Sequence, residues 1–83
     1  MTGTRRDFTD DNPLNAGEYG KHSESGEWYC VPPNHPFHLG ALRGHEVTEH
    51  DDGSITVSPS ILIRHYRDGD WHGYLERGVW REV

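Results

Sequence analysis

Ile61–Val83 reads ILIRHYRDGDWHGYLERGVWREV, and its two turn signals decide the fold. Ile61–Tyr66 and Trp71–Glu76 are apolar-aromatic runs that flank Arg67-Asp68-Gly69-Asp70. Asp-Gly at the centre of a two-residue turn is a strong hairpin signal. Glu76-Arg77-Gly78 then leads into Val79–Val83, with glycine last in a three-residue loop, where a left-handed bulge residue belongs. The expected result is an antiparallel meander of three strands.

A hairpin precedes this meander. His45–His50 (HEVTEH) and Ser54–Ser58 (SITVS) are separated by Asp51-Asp52-Gly53. A three-residue loop would place Val47 opposite Val57 on one face, whereas a two-residue loop would separate them, so burial selects the former. Ser58-Pro59-Ser60 breaks the run, because proline within a strand marks an edge, a bulge or a change of sheet. Gly26–Val31 (GEWYCV) reads as a further strand closed by Pro32-Pro33. The stretch 32–44 holds three prolines and two glycines, so it is expected to be an irregular loop pinned to the core by Phe37, Leu39 and Leu42. No amphipathic helix is visible. The fold expected is mainly β, a small antiparallel meander and hairpin sheet or partly open barrel.

Apolar residues make up only 31% of the 83-residue chain, and they are unevenly placed. Residues 1–25 hold five of them (Met1, Phe8, Leu14, Ala16, Tyr19), and the remainder lies in 26–83. Ordering a residue costs roughly 1–2 kcal/mol of backbone entropy. Residues 1–25 are therefore expected to form a flexible acidic arm, and residues 26–83 a small β domain. A core this small would be supplemented naturally by a metal, a second subunit or a docked segment.

All of the formal net charge of −6 falls upstream of Ser54. That balance disfavours direct binding to nucleic acid, which needs a basic stripe, and equally disfavours an anionic membrane surface. The single Cys30 cannot make an intrachain disulfide, and no run is apolar enough for a signal-peptide core or a spanning helix. Arg5-Arg6 lacks the apolar stretch that a twin-arginine signal requires. A reducing, cytoplasmic setting is expected.

The two predicted registers set His65 beside His72, and His72 beside Glu82, on three adjacent strands. Directly opposed Cβ atoms lie about 4.5–5.5 Å apart, so the three side chains could share a divalent ion such as zinc. Cys30, His35 and His38 form a second, weaker ligand set, without the paired cysteines of a zinc ribbon. Set against both is the plainer reading of the seven histidines as polar side chains on an exposed sheet face. Ser58 and Ser60 flank a proline rather than a nucleophile elbow, and the glycines are scattered at turns, so neither nucleophilic catalysis nor phosphate binding is indicated. The same registers put Leu62, Tyr66, Trp71, Leu75 and Val79 on the core face. They leave Tyr74 and Trp80 paired on the other, either as a candidate surface for a protein partner or beneath a second layer formed by the 45–58 hairpin and the proline loop.

His45–Val83 resembles small proteins of unknown function encoded by phages of actinobacteria, through the acidic-Gly turn leading into SITVSPSIL and through WHGYLERGVW. These are similar to a wider phage and bacterial domain family of unknown function. Its members look like small zinc-binding β domains, with cysteines near the start and a Cys-His pair at the position of Trp71-His72, where only His72 matches. The resemblance covers a little under half of the chain and implies a viral origin.

The leading expectation is thus a non-enzymatic phage accessory protein that binds a host factor or a virion component, located in the host cytoplasm or in the virion. A small zinc-binding protein centred on His65, His72 and Glu82, with or without hydrolytic activity, is the first rival. An acidic mimic of nucleic acid is the second. A homo-oligomer is compatible with each.

Overall fold

In the computed structural model, which describes residues 1–83, eight strands form two four-stranded sheets with no helix. The strands are β1 (Thr4–Arg5), β2 (Glu18–Lys21), β3 (Trp28–Cys30), β4 (Gly40–Ala41), β5 (Glu46–Glu49), β6 (Ile55–Ile63), β7 (Trp71–Glu76) and β8 (Val79–Glu82). One sheet has the order β1-β2-β3-β4 and the other β5-β6-β7-β8. Only the β1–β2 pair is parallel. The mainly antiparallel β expectation holds, in the form of two sheets that do not close into a barrel.

The hairpin β5–β6 forms in the expected register, with Val47 opposite Val57. His50 donates its N–H to Ser54 O at 2.8 Å, and Gly53 takes a φ of 87°, which only glycine adopts without penalty. Asp52 Oδ1 accepts bonds from both the N–H and the hydroxyl of Ser54, so the acidic turn is held by its own side chain. The interruption at Ser58-Pro59-Ser60 is a register shift between Val57 and Ile61, as proline in a strand requires.

The two registers of the meander differ from expectation. Ile63 pairs with Trp71, so the connection runs from 64 to 70 and is not the two-residue Asp-Gly hairpin. The reason is His65, whose Nδ1 accepts the N–H groups of Arg67 and Asp68 and so folds the segment into a turn of its own. Between β7 and β8 the slip is one residue. Glu76 pairs with Val79 across Arg77-Gly78, both at positive φ (48° and 76°). This is the tight two-residue turn whose twist matches that of the strands. A one-residue slip exchanges the faces, so Trp80 enters the core at 3% exposure while Val79 is turned outward. Leu62 and Tyr66, expected in the core, are likewise exposed, whereas Trp71 and Leu75 are buried as expected.

The expected arm is corrected. Residues 1–25 supply β1 and β2, and Phe8, Leu14 and Tyr19 are all buried. Met1–Gly3 runs along β8, with Trp80 N–H donating to Met1 O and Gly3 N–H to Gly78 O, each at 2.7 Å. The chain then crosses into the other sheet, where Thr4 pairs with Glu18. Gly20 permits this close approach, since a Cβ there would collide with the Arg6 carbonyl. The segment is poor in apolar residues, but three of them, Phe8, Leu14 and Tyr19, are spent in the core, and its backbone pairs with strands on both sides. The radius of gyration is 11.6 Å, against about 12 Å for a compact chain of this length, so no segment extends away from the body.

The main core gathers Tyr19, Leu42, Ile55, Val57, Ile61, Trp71, Leu75 and Trp80 between the sheets. A smaller cluster of Phe8, Leu14 and Val31 closes the far side of the first sheet.

Candidate functional site

After β3, Pro32-Pro33 stops the strand and two successive turns follow, closed by His35 N–H to Pro32 O and His38 N–H to His35 O. The second turn alternates its side chains: Phe37 points out at 74% exposure, His38 points in at 1%, and Leu39 points out. Of the residues expected to pin the loop, Leu42 does so from the core, whereas Phe37 and Leu39 do not, and His38 takes their place.

His38 Nε2–H donates to the carbonyl of Gly69 at 2.7 Å, across to the β6–β7 connection. Its ring stacks on His65, with centroids 4.7 Å apart and planes at 23°, and takes the edge of His35 at 4.9 Å. His65 in turn stacks on Tyr66 at 5.4 Å, and the Arg67 guanidinium lies 5.5 Å from the Tyr66 ring centre. The result is a ladder His35, His38, His65, Tyr66, Arg67 that clasps the proline loop of one sheet to the β6–β7 connection of the other. Its outer end carries Tyr66 at 88% exposure. Phe37, next in sequence to the buried His38, presents the second exposed ring.

The clasp fixes the tautomers. His38 carries its proton on Nε2, and its Nδ1 is buried without a hydrogen-bond partner. His65 uses Nδ1 as an acceptor from two backbone N–H groups and so carries its proton on Nε2. His35 uses Nδ1 toward Pro33 O at 2.7 Å. These rings hold loops; they are not aimed at a common point.

The sequence-predicted ligand sets are dispersed accordingly. His72 lies opposite Leu62, its Nε2 2.9 Å from Ser60 Oγ, and Glu82 lies opposite Gly73. His65 lies outside the paired strands, in the β6–β7 connection. His65, His72 and Glu82 are therefore not assembled, because both turns on which their register rested close differently. Cys30 is fully buried on β3, and burial pushes its thiol up to about 12. Cys30, His35 and His38 are likewise not gathered into a group that could hold a metal ion. No group of three or more His, Cys, Asp or Glu side chains is arranged to hold a metal ion.

The expected partner surface is also redrawn. Trp80 is in the core, donating its indole N–H to Gly17 O at 3.0 Å, and it meets Trp71 edge-on. Tyr74 is half-buried, with the Arg81 guanidinium 4.3 Å from its ring centre. The exposed aromatic rings are Phe37 and Tyr66, which sequence reasoning assigned to the core. The available signal was Pro36-Phe37-His38-Leu39: in a loop too short to turn both flanks inward, alternation buries either His38 or its two neighbours.

No protein family, curated protein or solved structure matches the chain.

Proposed function

We propose that the protein is a non-enzymatic accessory protein that binds another protein through Phe37 and Tyr66. The observation that carries this reading is the exposure of two large aromatic rings on loops that a buried histidine clasps together. Aromatic residues and arginine dominate the energy of protein interfaces, and a ring already held in place loses little entropy on binding. Phe37, Tyr66 and the stacked Arg67 have that composition, with Leu39 exposed beside them. A hydrolytic zinc protein has no comparable support, since its proposed ligands lie apart.

The resemblance of His45–Val83 to proteins of actinobacterial phages supports a viral origin. The partner is then a host factor in the cytoplasm or a component of the virion. Tagged protein should be recovered from infected cells alongside a double variant, Phe37→Ser with Tyr66→Ser, which replaces only exposed side chains and should melt as the wild type does. A partner retained by the wild type and lost by the variant is the expected result. The same proteins recovered with both, at equal yield, would overturn the assignment.

A further inference from the structure

Backbone hydrogen bonds stitch the two sheets on one side, whereas on the other they are bridged by a side chain, Arg5 bonding to Glu49 and to the Gly53 carbonyl. Met1–Gly3 covers the outer edge of β8, whereas β4 and β5 each have a strand neighbour on one side only. The N–H of His50 bonded to Ser54 O makes that a hydrogen-bonded pair, so by alternation Thr48 and Glu46 also bond across to β6. The N–H and C=O groups of Val47 and Glu49 consequently point away from the sheet. On β4, Leu42 N–H bonds to Trp28 O, so Ala41, opposite Tyr29, also turns its backbone outward.

Between these two free edges lies a cleft of about 310 Å³, floored by Trp28, Ala41, Leu42 and Val47, with Arg43 and His45 at the rim. That is at the small end of the range of about 300–1,000 Å³ for ligand clefts, suited to one or two apolar side chains. Charge is one-sided along β5. Glu46, Glu49, Asp51 and Asp52 line the strand and its turn with no lysine or arginine among them. Glu49 is engaged by Arg5 at 2.9 Å, but Glu46 and Asp51 are exposed and form no ion pair. At the rim, the Arg43 guanidinium is already paired with Glu27.

We infer that this seam takes an extended basic-apolar segment of another protein, which adds as a strand to the edge of β5. Its main chain bonds to Val47 and Glu49, an apolar side chain enters the cleft over Trp28, and a lysine or arginine lies beside Glu46 and Asp51. Strand addition uses unpaired backbone groups for affinity and a pocket for alternate side chains for selectivity. Net charge along the edge selects the sign of the peptide. The surface is separate from Phe37 and Tyr66 and does not depend on their role.

The test uses the purified full chain and two short, end-blocked synthetic peptides, one alternating lysine with leucine and the other glutamate with leucine. Amide exchange and amide chemical shifts are followed residue by residue. The lysine peptide should slow exchange at Val47 and Glu49 and bind about tenfold more tightly than the glutamate peptide. Glu46→Lys with Asp51→Lys should reverse that preference. Val47→Pro deletes an outward N–H without touching the β6 ladder, and it should abolish protection at Glu49 by the lysine peptide. If that variant does not fold, the charge-reversed one still decides. Equal affinity for both peptides, or unchanged exchange at Val47 and Glu49, would overturn the proposal. So would protection that grows with protein concentration in the absence of peptide, which would assign the edge to a second copy of the chain.

Discussion

Trp80 and Tyr74 show how much hangs on one residue of register. With a three-residue turn at Glu76-Arg77-Gly78 they would face one another on the outer side of the sheet. With the two-residue turn that forms, Trp80 lies opposite Leu75 and its indole N–H finds the Gly17 carbonyl. The gain is large, because tryptophan buries far more apolar area than the Val79 that would otherwise occupy the core. Arg77 accepts a positive φ in exchange, a cost of about 1 kcal/mol. Trp80→Ala should therefore destabilise by roughly 3–5 kcal/mol, most of the stability of a domain this size. Tyr74→Ala, which removes a half-buried ring capped by Arg81, should cost under about 1 kcal/mol. Chemical denaturation of both variants checks the register, and equal losses would contradict it.

At the scale of elements, the segment with the least apolar surface is tied in by its charges. Arg5 Nε meets Asp7 Oδ1 at 3.0 Å, and Arg6 meets Glu18 Oε1 at 2.9 Å while also reaching the carbonyls of Asn12 and Pro13. The hydrogen bond from Arg5, with a second from Lys21 N–H, holds the Asp7 carboxyl below its usual range. The bond from Arg6 does the same for Glu18. Each carboxyl binds a proton less readily in the folded chain than in the unfolded one. Their contribution is therefore complete above the unfolded values, near pH 4, and is lost as pH falls through the lower folded values. Melting temperature should decline in acid more steeply for the wild type than for Asp7→Asn with Glu18→Gln, and parallel curves from pH 7 to pH 2.5 would show that these pairs do not hold β1 to β2. These pairs also mark where legibility ended. A count of apolar residues says nothing about arginine side chains bonding to carboxylates and carbonyls, so an arm was expected where two strands form. The β5–β6 hairpin was readable because a single choice, Val47 opposite Val57, satisfied both burial and turn chemistry. The β6–β7 connection was not, because His65 acts there as a backbone acceptor and as half of a stack, and its stacking partner His38 is far away in sequence.

For the molecule as a whole, the β class and the strands β3 and β5 to β8 followed from alternation and turns, whereas β1, β2, β4 and the placement of the surfaces did not. Leu62, Tyr66, Trp71, Leu75 and Val79 were read as one face, and the structure divides them between core and solvent because two connections close differently. Of the candidate ligands, His35, His38 and His65 join the two sheets, while His72 bonds to Ser60 within its own sheet. This distribution leaves a stitched body with one open seam and one aromatic end, the latter built by His35, His38, His65 and Tyr66. Phe37 and Tyr66, held by that clasp, are the proposed contact with a protein partner. A photo-reactive phenylalanine analogue placed singly at Phe37, Tyr66, Leu62 or Val79 of the full chain, expressed in cells of the proposed host, tests this contact most directly, since all four positions are exposed. Cross-links to one common protein from positions 37 and 66, and none from 62 and 79, are the predicted result. Cross-links from 62 or 79 alone, with none from 37 and 66, would contradict it.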